Sequence, residues 1–174
     1  MTSARVWGTV TGIVAVFTIA PWAVYLGGLA KFTSEINGGD YSEAMKNRFI
    51  MLDWYVLAAQ LFYLLVLITC AFAKWLRRTA SMHNMWLAVN SALLVYISTQ
   101  RLTQIDAVND DMSLADIAAA IGLDVVPLNN PLPYLRAEVA GTIMCATMNF
   151  FLTILISIGG TAEPEEGVAK AAAA

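Results

Sequence analysis

Charged side chains disappear from four stretches of the chain: 6–30, 54–73, 79–100 and 139–162. Each has the length of a helix that crosses a bilayer, which needs about 20 apolar residues. The pattern predicts four membrane-spanning helices at about 6–30, 50–73, 82–100 and 138–161. Turn and cap signals separate them. Asn37-Gly38-Gly39-Asp40 marks a first loop over 31–40, and Asp40 with Glu43 has the spacing of a capping box, so the second helix starts near Tyr41. Pro21 removes a backbone donor and is expected to kink the first helix. Arg101 is expected to end the third. In the second loop, 102–134, Ser113 and Asp116 repeat the capping spacing, and Leu114, Ile117, Ala118 and Ile121 share one face. A short interfacial helix is expected there, closed by Gly122 and followed by an extended return through Pro127, Pro131 and Pro133.

The only short basic segment between two of these runs is Ala73-Lys74-Trp75-Leu76-Arg77-Arg78. Short cationic loops stay on the cytoplasmic side. That places both termini on the cytoplasmic or an equivalent face and the acidic second loop opposite. Trp7, Trp54, Trp75 and Trp86 stand where an aromatic belt would. Composition agrees: the 174 residues are 59% hydrophobic and 13% charged, against about 25% charge in a soluble domain. Residues 1–162 read as one all-α integral membrane domain, a four-helix antiparallel transmembrane bundle. Residues 163–174 read as a disordered polar and alanine tail. The first run is too long for a signal-peptide core and is read as a retained span. The net charge of −3 and the lack of a basic block speak against nucleic acid as a partner. Cys70 and Cys145 fall at different depths, roughly 15–20 Å apart, beyond the reach of a disulfide.

The candidate chemistry is sparse. Thr18, Gln60, Asn90 and Asn149 each lie near the middle of their run, one per helix. Buried amides need partners, so these form a midplane polar cluster, either joining helices or lining a site for a lipid, pigment or small solute. Gly8 and Gly12 on the first helix, and Ala137, Gly141 and Cys145 leading to Asn149 on the fourth, are small-residue stripes for close helix packing. Asp53 can pair with Arg101, Arg48 or Arg136. Lys74, Arg77 and Arg78 can hold anionic lipid headgroups, at about 1 kcal/mol per cation. His83 is the only histidine, so haem or zinc ligation lacks ligands. No nucleophile–base set, phosphate loop or acidic metal motif occurs. No cofactor is identified, which leaves a bound lipid or pigment.

The layout of four helices, cytoplasmic termini, a short inner loop and larger outer loops resembles the MARVEL and Casparian-strip-like tetraspans. That resemblance implies membrane scaffolding. The arginine in the first span and aspartate in the third that typify the Casparian-strip-like proteins have no counterpart in 6–30 or 79–100. The expected role is a non-catalytic scaffold or accessory subunit of a larger complex. Its partners would be membrane lipids and other integral membrane proteins or further copies of itself. The alternative is a binding or transport module built on the polar cluster.

Overall fold

A computed structural model describes the backbone over residues 4–38, 43–109 and 132–161, and the side chains over 6–37, 50–106 and 132–161. This backbone is helical apart from a break at Thr18 and a corner at 73–75. The elements are α1 (Ala4–Phe17), α2 (Ile19–Gly38), α3 (Glu43–Phe72), α4 (Leu76–Asn109) and α5 (Leu132–Thr161). α1 and α2 continue one another as a single rod. The break falls one turn before Pro21, whose missing N–H and ring bulk act on the carbonyl of Phe17. The Thr18 N–H still reaches Val14 O at 3.0 Å, and the Trp22 N–H reaches Thr18 O at 3.3 Å, so the chain passes through without unwinding.

Three boundaries differ from the sequence expectation, the last being the start of α5 at Leu132 within the loop expected over 102–134. The first loop was expected from residue 31, but α2 runs on to Gly38. Phe32 and Ile36 continue the buried stripe of Tyr25 and Leu29, and Lys31 pairs with Glu35 one turn on at 2.6 Å. A helix end that buries apolar side chains on one face does not stop at a lysine. Likewise Arg101 does not end the third expected helix: α4 continues to Asn109 with Arg101 buried inside the bundle and Ile105 buried beyond it. The interfacial helix expected at 113–122 and the tail 163–174 lie outside the described residues, as do Pro127 and Pro131 of the expected return. Pro133 is not extended but stands in the first turn of α5, where a missing N–H costs no intrahelical bond.

Among the described residues, three segments are long and apolar enough to cross a membrane: Val6–Asn37, Ile50–Phe72 and Leu132–Thr161. α4 has the length, at 34 residues, but His83, Asn84, Asn90, Ser91 and Ser98 lower its apolar content.

The basic corner closes with a Schellman motif. Lys74 takes a left-handed conformation, φ 63°. The Trp75 N–H bonds Cys70 O at 2.9 Å and the Lys74 N–H bonds Ala71 O at 3.4 Å, which caps the last turn of α3. α4 starts at once, so α3 and α4 fold back on each other.

Side-chain contacts fix the register. Asn84–Ser157, Ser98–Thr142 and Arg101–Glu138 step forward along α4 and backward along α5. Gly28 meets Glu138 and Gly141 meets Tyr25, so α2 also opposes α5. The rods therefore alternate in direction. Two apolar clusters fill the interior. One, around Leu64, Leu67, Leu87, Leu152 and Ile156, lies toward the corner. The other, around Tyr25, Leu29, Val56, Leu94 and Val139, lies toward the opposite end.

Candidate functional site

The two apolar clusters are separated by a layer of amides. Along α3, Gln60 falls between Leu57 of one cluster and Tyr63 of the other. Asn90 falls between Leu94 and Leu87, and Asn149 between Ala146 and Leu152. The helical period alone brings the three onto facing surfaces. Gln60 Nε2 donates to Asn149 Oδ1 at 2.8 Å, and Asn149 Nδ2 donates back to Gln60 Oε1 at 3.0 Å. Asn90 Nδ2 donates to the same Gln60 Oε1. One buried amide thus ties α3 to both α4 and α5. Thr18, placed in the same cluster by sequence, is not joined to it. Its hydroxyl bonds Val14 O of its own helix at 2.9 Å. A hydroxyl can satisfy itself on the preceding turn, whereas a long amide cannot.

Gln60 is the hub, so replacing it by methionine strips partners from two other buried amides. Gln60→Met is expected to destabilise the fold by about 1–3 kcal/mol. Replacing Gln60, Asn90 and Asn149 together by apolar residues is expected to recover most of that loss. Unfolding in detergent, followed by helical circular dichroism, measures both.

A second polar assembly lies closer to the end opposite the corner. Arg101 of α4 is 3% exposed, Asp53 of α3 4% and Glu138 of α5 0%. Arg101 Nε donates to Glu138 Oε1 at 2.8 Å, its Nη2 to Asp53 Oδ2, and its Nη1 to Gln104 Oε1 at 3.1 Å. The guanidinium also lies over the Phe32 ring, 4.2 Å from its centroid. Tyr25 of α2 completes the group, its hydroxyl donating to the Asp53 carbonyl at 2.9 Å. The expected contact of Asp53 with Arg101 is present, and Glu138, the residue just before the fourth charge-free run, joins it as a third member. A signal existed: Glu138 lies three residues before Gly141, on the same face as Cys145 and Asn149. Glu138 Oε2 is buried and has no hydrogen-bond partner.

The small-residue stripes seat the rods. A Cβ on Gly141 would lie 2.4 Å from Tyr25 N, and one on Gly28 2.6 Å from Glu138 N. Backbone meets backbone at both crossings. Gly8 and Gly12 face Ala71 and Phe72 in the last turn of α3, less tightly. Ala137 is half-buried and Cys145 fully buried; Cys70 and Cys145 are free thiols. Lys74, Arg77 and Arg78 are exposed around the corner. His83 is fully buried, both ring nitrogens without partners, with its ring 5.6 Å from that of Tyr63. Among the described residues no three His, Cys, Asp or Glu side chains converge on a metal position.

Between α3 and α4 the surface opens into a groove of about 220 Å³, lined by Tyr55, Ala59, Tyr63, Trp86, Val89 and Asn90 among others. Asn90 is where it meets the amide layer. Comparison of the chain with protein-family models, curated proteins and solved structures finds no match.

Proposed function

We propose that this chain is a four-span integral membrane protein acting as a non-catalytic scaffold or accessory subunit of a larger membrane complex. What carries the reading is where the interior polar groups go. Gln60, Asn90, Asn149, Ser98, Thr142 and Arg101 all bond across helices, so the interior polar chemistry serves to hold rods together. The outer surface is apolar: Phe17, Met51, Phe62, Phe150, Phe151 and Ile154 are each more than half exposed. A hydrocarbon solvent or the spans of another protein would cover them.

α4 counts as the fourth span for a related reason. Its amides and hydroxyls at 84, 90 and 98 engage neighbours, while Met82, Met85, Trp86, Val89 and Val95 face outward. Exposed Lys74, Arg77 and Arg78 at the corner support a cytoplasmic corner and cytoplasmic termini. The expected interfacial helix at 113–122 would then lie on the opposite surface. The likeness in layout to MARVEL-type tetraspans is in keeping with a scaffold.

The test is extraction in mild detergent, sizing, and identification of what co-migrates. A stoichiometric larger assembly is expected. A lone monomer overturns the scaffold reading. The α3–α4 groove with Asn90 in its wall favours a second reading, a binding module for a lipid or pigment. A lone monomer that retains one such molecule, and loses it on Asn90→Leu, would establish that reading instead.

A further inference from the structure

Arg101 is shared by two carboxyl groups, so the Asp53–Arg101–Glu138 cluster has one acid too many. Among the described residues no further cation bonds to either carboxyl. α2 contributes Tyr25 and Phe32, α4 adds the neutral Gln104, and α5 adds Cys145 one turn past Gly141. On α2, Lys31 and Glu35 are partly exposed and pair with each other. The surrounding shell is Phe32, Ile36, Ile105, Leu135 and Val139. An uncompensated charge in such a shell is costly.

The second observation is independent of the charge count. Glu138 Oε1 accepts from Arg101, but Glu138 Oε2 accepts from nothing and is buried. A bare carboxylate oxygen without a donor is the least favourable form this atom can take. A hydroxyl there carries no charge and leaves Oε1 free to keep its bond to Arg101. A metal cation would need further oxygen ligands, and two carboxyls with a guanidinium between them do not provide them.

We propose that the cluster is a binding site for one exchangeable proton, carried on Glu138 Oε2 and held in place by the Arg101–Asp53 pair. Binding forms one O–H bond and cancels one negative charge, leaving Arg101 matched by Asp53 alone. The proposal is independent of the scaffold role, because it concerns what the interior holds and not what the surface contacts.

Infrared spectroscopy of the full chain in lipid nanodiscs tests it. At neutral pH the wild type should show one carbonyl band of a buried protonated carboxyl, fading on alkaline titration. Glu138→Gln and Asp53→Asn should each abolish it, because either leaves one carboxylate for one guanidinium. Loss in both variants distinguishes a shared proton from an acid that is protonated on its own. Circular dichroism checks that the variants are folded, and Glu138→Asp serves as a second variant that should keep the band. Absence of the band in the wild type, its persistence in folded Glu138→Gln or Asp53→Asn, its loss in folded Glu138→Asp, or its removal by sodium at fixed pH would each overturn the proposal.

Discussion

Arg101→Leu is expected to destabilise the folded chain by about 3–5 kcal/mol, the loss typical of a buried charge left without its partner. The side chain is 3% exposed and bonds three residues on three helices or turns: Asp53, Glu138 and Gln104. Without it two carboxyls face each other in an apolar shell. The damage should shrink as the pH is lowered, since protonation removes the charges that have lost their partner. Replacing Asp53, Arg101 and Glu138 together by apolar residues should cost far less than the single change, because no orphaned charge remains. Unfolding of each variant in the same detergent at two pH values gives the comparison. An Arg101→Leu chain as stable as the wild type would mean that the cluster does not assemble.

The second large effect is expected at Gly141. The atoms that an alanine Cβ would strike, Tyr25 N at 2.4 Å and Tyr25 Cα at 2.6 Å, belong to the backbone of α2 and cannot swing aside. α2 and α5 must part instead. Overpacking costs about 1–3 kcal/mol and occasionally more, and this site belongs at the top of that range. Parting the rods also relieves Gly28 against Glu138, so Gly28→Ala added to Gly141→Ala should cost less than the two separately. Gly27, one residue away with no heavy atom within 4 Å, is the control. Gly27→Ala should fall within about 0.5 kcal/mol of the wild type. Equal losses at 27 and 141 would show that the crossing does not set the effect, since alanine is otherwise the better helix former.

Much of the fold could be read from the sequence because the charge-free runs are long and their ends are marked by aromatic and basic residues. The helix ends were harder. Lys31 and Glu35 look like loop residues in a linear reading, and only the continuing stripe of Phe32 and Ile36 shows that the helix goes on. Gln60, Asn90 and Asn149 stand out because an amide in an apolar run is rare. Glu138 does not, because an acid at the edge of a run looks like a flank. Two of the pairings between α4 and α5, Asn84–Ser157 and Ser98–Thr142, draw on a repeat in the sequence. Asn84, Ser91 and Ser98 recur every seven residues, and Thr142 and Asn149 have the same spacing. A polar stripe at that interval is a packing face, but a period alone does not say which neighbour it meets. The resemblance to a tetraspan family rested on layout, which many unrelated chains share, and so it carried no residue of the charged cluster.

The two partners of Arg101 lie 48 residues before it and 37 after it. During synthesis the chain therefore brings a matched pair together first. Under the proposed four-span reading, once α3 and α4 have folded over their corner, Asp53 and Arg101 cancel, and that hairpin could rest in lipid without a bare buried charge. Glu138 arrives only with α5. The last helix thus cannot slide in as an inert apolar segment, because its carboxyl has to be neutralised or meet the guanidinium as it inserts. A nascent chain cut before residue 132 should then leave a hairpin whose buried Asp53 and Arg101 are matched, and release of α5 into the bundle becomes the chemically demanding step of assembly.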